Sequence, residues 1–210
     1  MLKILHKFCS WPLRHVYRPI FDRWYDYRNN IKTRDVIPVA DKKMEAEGCN
    51  GYQGVLLFTM KHFLRHLPPL HDLGFIDIGC GHGRACFMAA KSGVFSNVVG
   101  IDFDKTLIAQ AERNKASFRY AHSSAPITFE QSDALAYMLP ADRSYCVFLN
   151  NPFGEDILLP FLRNNLRALR QKDSFVAYIN HMHLEQVLAL GFTVFFRNNI
   201  LRYSLLRLTA

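Results

Sequence analysis

One segment of this sequence carries residue types and spacing suited to holding a small ligand. Asp77 lies in an apolar run and is followed by Gly79, Gly81 and Gly83 at every second position. Glycines at a turn let the backbone approach a ligand where a Cβ would not fit. Residues 84–91 then have helix-forming composition. The pattern predicts a buried strand that turns, against a ligand, into the N-terminus of a helix.

A second acidic residue, Asp102, closes the next apolar run, 19 residues after Gly83. At that place a carboxylate can accept hydrogen bonds from a ribose diol that lies over the glycine turn. The alternative for Asp102 is a helix N-cap, for which Asp104 is better placed. Nicotinamide-binding folds share this arrangement but space their glycines G-x-G-x-x-G. Here the carboxylate of Asp77 would attract an ammonium group and repel a pyrophosphate. The pattern therefore favours a cationic, non-phosphorylated ligand.

Two further polar turns follow the third and fourth predicted strands. Ser132-Asp133-Ala134 comes first, and Asn150-Asn151-Pro152-Phe153 comes second. Each has an ordinary structural alternative: Asp133 can cap a helix, and Asn-Pro is common in turns that end strands.

These four elements, in this order, resemble the class I S-adenosylmethionine-dependent methyltransferases over about residues 50–210. The resemblance implies S-adenosylmethionine as the cofactor and methyl transfer as the reaction. It implies contacts of the aspartate and glycines with the methionine part, of the second acid with the ribose hydroxyls and of the third acid with the adenine amino group. The implied cofactor-binding residues are Asp77, Gly79, Gly81, Gly83, Asp102, Asp133 and Asn150.

The last turn is similar to the Asn/Asp-Pro-Pro-Tyr/Phe motif of amino-group methyltransferases. Asn150, Pro152 and Phe153 match that motif, whereas Asn151 stands in place of its first proline. A register shifted by one residue matches an Asn-Pro-Phe signature of bacterial methyltransferases equally well, so either asparagine can face the substrate. An amide oxygen can accept an amine's hydrogens, and an aromatic face suits a cationic centre.

The resemblance also implies a catalytic role for Tyr52, in a segment that arches over the cofactor near the transferred methyl group. A glycine-flanked turn with a packed tyrosine is the alternative. We expect an enzyme that methylates nitrogen on a protein lysine, a base or a small amine. The alternatives are an O-methyltransferase for a glycan or small metabolite, with His181 or His183 as general base, and a non-catalytic cofactor-binding partner subunit.

Composition limits the class of protein. The chain has 210 residues, a net charge of +8 and five cysteines without CxxC spacing. Reduced thiols in a cytosolic, cytoplasmic protein are expected, without a disulfide framework or a metal site. His62, His66 and His71 have no carboxylate or cysteine to complete a metal site, so we expect them to face solvent. No apolar run approaches the roughly 20 residues that span a bilayer.

The N-terminal arm, residues 1–34, holds eight basic, two acidic and seven aromatic side chains. Such an arm can contact an anionic surface: membrane headgroups, nucleic acid or an acidic substrate. The favoured interpretation is a helical extension that packs its aromatics on the main domain and leaves its arginines in water. Pro12 and Pro19 interrupt any long amphipathic helix.

The remaining pattern alternates strands and helices. It predicts strands at 74–78, 97–102, 127–131, 146–150 and 175–179, helices at 54–66, 84–92, 105–120, 155–169 and 183–190, and a closing hairpin at 192–208. The expected fold class is α/β: a Rossmann-like, mostly parallel sheet of seven strands with a C-terminal antiparallel hairpin and an N-terminal helical extension. The expected division is an extension and cap, 1–50, and a methyltransferase domain, 51–210.

Overall fold

The computed structural model describes residues 18–34, 54–170 and 173–208. Tyr52, and the predicted domain boundary at residue 50, lie outside these ranges. Seven strands form one sheet, in the order β3-β2-β1-β4-β5-β7-β6. Their bounds are β1 Gly74–Ile78, β2 Asn97–Asp102, β3 Ile127–Gln131, β4 Tyr145–Leu149, β5 Phe175–Ile179, β6 Phe192–Asn198 and β7 Tyr203–Leu208.

The first five strands are parallel, and the closing hairpin is antiparallel. Strands β1, β4 and β5 are buried along their whole length, as expected for central strands covered on both faces. The hairpin inserts β7 between β5 and β6. The α/β, Rossmann-like fold class predicted from the sequence is therefore confirmed.

Helices cover both faces of the sheet, and each face has its own apolar core. The helices found in the described ranges are α1 Arg18–Asn29, α2 Leu57–Leu64, α3 Arg84–Lys91, α4 Lys105–Ser117, α5 Glu155–Arg170 and α6 Leu184–Leu188. None of them is long and apolar enough to cross a membrane.

Several predicted boundaries shift by a few residues. Helix α4 ends at Ser117, before the predicted end at residue 120, because Phe118 is extended and its ring packs at 4.7 Å from that of Phe87. Strand β4 begins and ends one residue earlier than predicted, since the chain turns at Asn150. Helices α2 and α6 are shorter than predicted at both ends.

Helix α1 reverses the usual distribution of polar and apolar residues. Its inward face carries Asp22 and Asp26, which are buried against the domain together with Tyr25. Phe21, Trp24 and Tyr27 are exposed instead. The expectation that the arm packs its aromatics on the domain therefore holds for Tyr25. It is wrong for the other three aromatic side chains within the described part of the arm, because the inward positions hold acids that pair with a buried arginine.

Candidate active site

The glycine turn lies between β1 and α3, as the sequence predicts. All three glycines have positive φ, at 78°, 54° and 82° for Gly79, Gly81 and Gly83. A Cβ at Gly79 would lie 2.6 Å from the Cβ of Pro152, so the two turns touch. Gly81 donates its N–H to the carboxylate of Asp102 at 2.9 Å. Gly83 begins α3 against the ring of Phe129, where a Cβ would lie 2.5 Å away.

Asp102 binds two backbone N–H groups, one with each oxygen. Gly81 donates to Oδ2 at 2.9 Å, and Asp104 donates to Oδ1 at 3.0 Å. Asp104 itself caps α4 by accepting from the N–H groups of Thr106 and Leu107. The N-cap of α4 is therefore Asp104 and not Asp102. Two carboxylate oxygens offer about four acceptor positions, so Asp102 keeps capacity for the hydroxyls of a ribose.

Asp77 is the most strongly perturbed carboxyl group of the site. It is 4% exposed, and its side-chain partner is the thiol of Cys86, whose Sγ lies 3.6 Å from Oδ2. Burial raises the pKa of Asp77 to about 8, and burial also raises the pKa of Asp102 to about 6. A cation placed beside either group would stabilise its ionised form. This pair therefore suits a ligand with an ammonium at one end.

A cavity of about 480 Å³ opens at the carboxyl ends of β1, β2 and β4. Ligands bind at this position in open α/β sheets, where the strand order reverses. Its walls include most of the predicted site residues: Asp77, Gly79, Asp102, Asp133, Asn150, Asn151, Pro152 and Phe153. Gly81 and Gly83 are not in its walls; they shape the turn behind it.

The third acidic residue lies in the cavity wall and caps a turn, at residues 134–136, where the alternative interpretation had a helix. Asp133 lines the cavity, and its Oδ1 also accepts the backbone N–H of Leu135 at 2.9 Å. Phe103 and Leu107 line the same cavity and were missed by sequence reasoning. Phe103 directly follows Asp102, so its position next to a predicted site residue is a signal that was available.

The turn after β4 is held by two side chains at the end of the neighbouring strand β5, one in the strand and one directly after it. The amide of Asn180 donates to Oδ1 of Asn150 at 3.1 Å, and the hydroxyl of Tyr178 lies 3.5 Å from Oδ1 of Asn151. Asn151 has a φ of 48°, which asparagine tolerates better than most residues. Phe153 is buried but lines the cavity. Both asparagines therefore stand in the cavity wall, each with its oxygen positioned.

The histidines considered as general bases lie elsewhere. His181 pairs with Ser204, whose Oγ is 3.0 Å from Nδ1. Burial, with Arg197 and Arg202 nearby, lowers the pKa of His181 to about 4. The Nδ1 of His183 lies 3.7 Å from a carboxylate oxygen on α5. Neither histidine lines the cavity.

Of the three histidines expected to face solvent, His71 is exposed, whereas His62 on α2 and His66 just after it are half-buried. His62 is half-buried, with Nδ1 2.7 Å from the hydroxyl of Tyr203, because that hydroxyl reaches across from β7. Its ring stacks on His66 at 4.5 Å. Within the described ranges, no group of three histidine, cysteine or acidic side chains is arranged to hold a metal ion.

Arg84 is a site residue that the sequence did not reveal. It lines the cavity and is 2% exposed, in the first turn of α3. Its guanidinium pairs with Asp22 and lies 3.6 Å from Asp26, both on α1. Its Nε donates to the hydroxyl of Thr33 at 2.8 Å. The inward acids of α1 thus compensate a charge in the cavity wall, and Arg84 couples the arm to the site.

These residues fit S-adenosylmethionine. The glycine turn leaves room that a side chain would fill, Asp77 can meet an ammonium, and Asp102 can bind ribose hydroxyls. Fold and cavity together define a class I S-adenosylmethionine-dependent methyltransferase.

Comparison with known proteins gives the family. The family model described as a methyltransferase domain matches residues 71–183, and the chain belongs to this family. A ribosomal RNA large subunit methyltransferase G from Erwinia tasmaniensis is 29% identical over 103 residues, which are 49% of this chain and 27% of that protein. A tRNA1(Val) (adenine(37)-N6)-methyltransferase from Pseudoalteromonas atlantica is 33% identical over 88 residues, 40% of this chain and 32% of that protein.

A solved structure is similar in fold. It is a ribosomal protein L11 methylase from Lactobacillus delbrueckii subsp. bulgaricus, with a TM-score of 0.51 and 21% identity over 72% of this chain and 77% of that one. The matched segments span about a third or less of the two curated relatives' length. The family and the fold establish a methyltransferase that uses S-adenosylmethionine.

Proposed function

We propose that this enzyme methylates a nitrogen atom, on an amino group presented at the turn after β4. The observation that supports this is the chemistry of the cavity wall. Among the described residues that line it, the carboxylates are Asp77 on β1, Asp102 on β2 and Asp133 after β3. The turn after β4 contributes two amide side chains and an aromatic ring.

An amino group needs positioning more than it needs a strong base. S-adenosylmethionine supplies an electrophilic methyl group on a sulfonium, and alignment with the nucleophile then controls the rate. The amide oxygens of Asn150 and Asn151 accept the hydrogens of the amine and aim its lone pair. Asn180 fixes the oxygen of Asn150 by donating to it at 3.1 Å, and a carbonyl oxygen retains a second acceptor position. The ring of Phe153 provides a surface for the developing cation.

A hydroxyl acceptor would require a base with a pKa near neutral beside it. The cavity-lining carboxyl groups with raised pKa values, Asp77 and Asp102, are assigned to the cofactor in this proposal. His181, the imidazole with the strongest perturbation, pairs with Ser204 and does not line the cavity. One curated relative is, by its name, an adenine-N6-methyltransferase, which agrees with an amine acceptor. Three statements remain predictions: the catalytic role of Tyr52, the contacts of each cofactor-binding residue, and a cytosolic location. The described cysteines, Cys80, Cys86 and Cys146, are free thiols.

The test is methyl transfer from isotopically labelled S-adenosylmethionine to matched amine and hydroxyl acceptors, with the product located by mass spectrometry. We expect label on nitrogen. Replacing Asn150 or Asn151 with alanine should lower kcat by about a hundredfold, the scale of a lost positioning contact. Asn199→Ala, an exposed asparagine in the β6–β7 turn, is the control and should leave kcat unchanged. Label on oxygen, or wild-type kcat in both cavity variants, would contradict the proposal.

A further inference from the structure

The outward face of α1 exposes large aromatic side chains. Trp24 is 48% exposed and Tyr27 is 82% exposed. Exposing such rings on a soluble domain forgoes the stabilisation that their burial would give. The guanidinium of Arg28 lies over the ring of Trp24, 5.5 Å from its centroid. This face therefore presents rings together with a cation.

A cluster of three cations, defined by Arg28, Lys91 and Arg119, lies next to these rings. The Nζ of Lys91 donates to the side-chain oxygen of Asn29 at 2.6 Å and to the backbone oxygen of Arg119 at 3.1 Å. Arg119 donates to the backbone oxygen of Arg28 at 3.4 Å. The exposed ring of Tyr120 packs edge-on against Phe118 beside the cluster. Three sequence-distant segments therefore converge on one cationic spot.

Neutral oxygens are the hydrogen-bond partners of this cluster. Among the described residues, no acidic side chain forms a salt bridge with Arg28, Lys91 or Arg119. The nearby Glu112 pairs with Lys115 instead, at 3.5 Å. Burial and the two neighbouring arginines lower the pKa of Lys91, as expected where like charges face each other without a counter-charge.

The charges of α1 are sorted between its two faces. Asp22 and Asp26 face inward and compensate Arg84, so they do not offset the outward cations. Arg23, Arg28 and the following Lys32 and Arg34 are exposed. The outward face thus has a strong positive charge, although the helix itself contains both signs. An anionic partner fits this face by charge.

We propose that Trp24, Tyr27 and the cluster of Arg28, Lys91 and Arg119 bind single-stranded RNA that carries the acceptor base. The cations would neutralise backbone phosphates, and bases would stack on the exposed rings, which is how proteins hold single strands without reading their sequence. The inference rests on the proposed amine acceptor and names its class as a nucleobase. Because Arg84 links the inward face of α1 to the cavity wall, RNA on the outward face lies about one helix diameter, 10–12 Å, from the site.

Stacking of Arg28 on Trp24 favours RNA over a lipid surface. If Trp24 inserted below the lipid headgroups, the guanidinium of Arg28 over its ring would move with it to the edge of the hydrocarbon. A charged group is unfavourable there. A base stacked on the uncovered face of the ring keeps the guanidinium in water, next to a phosphate.

The experiment measures binding of a fluorescein-labelled 15-nucleotide RNA by anisotropy, at several salt concentrations. Trp24→Ala should weaken binding by about 5- to 150-fold, the range for loss of one stacked base. The double variant Arg28→Gln with Arg119→Gln should reduce the slope of log K against log salt by about 1.4, for two lost contacts to a single strand. The matched control is Arg163→Gln with Arg167→Gln, which removes the same charge from exposed positions of α5 on the opposite face of the sheet.

Binding of S-adenosylhomocysteine, measured by calorimetry, shows that each variant is folded and keeps its cofactor site. RNA binding that weakens in the α1 variants and not in the α5 control supports the proposal. Equal weakening in both double variants, no RNA binding by the wild type at 50 mM salt, or binding of phosphatidylserine vesicles in place of RNA overturns it. In those cases, transfer of the labelled methyl group to the nitrogen of a small amine would leave the proposed N-methylation standing. Transfer to oxygen would contradict both the N-methylation and the RNA proposal.

Discussion

Replacement of Gly79 by alanine tests the contact between the glycine turn after β1 and the turn after β4. Gly79 has a φ of 78°, and a Cβ there would lie 2.6 Å from the Cβ of Pro152. Gly93 is a matched control, since its φ is 71° and an added Cβ would meet nothing within 4 Å. The two variants share the strain of a left-handed alanine and differ in the collision.

The expected magnitudes follow from this difference. A left-handed residue with a Cβ costs about 1–2 kcal/mol, and both alanines pay this strain. Loss of glycine's freedom in the unfolded chain is also shared. Overpacking against the ring of Pro152 adds about 1–3 kcal/mol for Gly79→Ala alone. Its free energy of unfolding should therefore lie below that of Gly93→Ala by about this amount, a further Tm decrease of several degrees for a chain of this size.

Urea unfolding of the wild type and both variants gives the free energies, and labelled methyl transfer gives kcat. Because the added methyl group pushes Pro152 and the neighbouring asparagines away, we expect kcat to fall by about a hundredfold in Gly79→Ala. Gly93→Ala should keep the wild-type kcat. Equal losses of stability in the two variants, or a normal kcat in Gly79→Ala, would show that the two turns do not touch as described.

Three further predictions concern charged residues of the site. Asp102→Ala should weaken S-adenosylhomocysteine binding, measured by calorimetry, at least tenfold, because hydrogen bonds to a charged acceptor contribute about 1.5–3 kcal/mol each; unchanged affinity would exclude a ribose at this acid. Burial raises the pKa of Asp77 to about 8, so the folded protein keeps a proton there that the unfolded chain releases near pH 4. The free energy of unfolding should therefore fall between pH 5 and 8 relative to that of Asp77→Asn; parallel pH profiles in urea unfolding would argue against this. Arg84→Met should cost about 3–5 kcal/mol, since it leaves buried acids without their partner. Adding Asp22→Asn should recover part of that loss, and a strictly additive double-mutant cycle would contradict the pairing.

Much of the site could be predicted because parallel strands end at the same edge of a sheet. The strand pattern alone brings together four polar residues that lie in, or within two residues after, four parallel strands: Asp77, Asp102, Asp133 and Asn150. The glycine spacing also predicted that the backbone at this turn can approach a ligand closely. The pattern could not predict which contact each glycine makes, because the hydrogen bond from Gly81 to Asp102 depends on the path of the folded turn.

The arm and its partner were beyond prediction for a different reason. In the sequence, nothing distinguishes Asp22 and Asp26 from other acidic residues, and Arg84 has the appearance of an ordinary residue in the first turn of a helix. Their pairing joins segments about sixty residues apart and reverses the inside and outside of α1. A pattern of apolar residues cannot identify such a helix, because its buried face is the acidic one.

The inverted packing of α1 matters for anyone who shortens this protein. A fragment that starts at Gly54 keeps the four elements from Asp77 to Phe153 and the whole region that matches the methyltransferase family, residues 71–183. It would nevertheless leave the guanidinium of Arg84 without both of its acids at the rim of the cavity. Fragments prepared for screening should begin before Arg18, or replace Arg84 when they begin later.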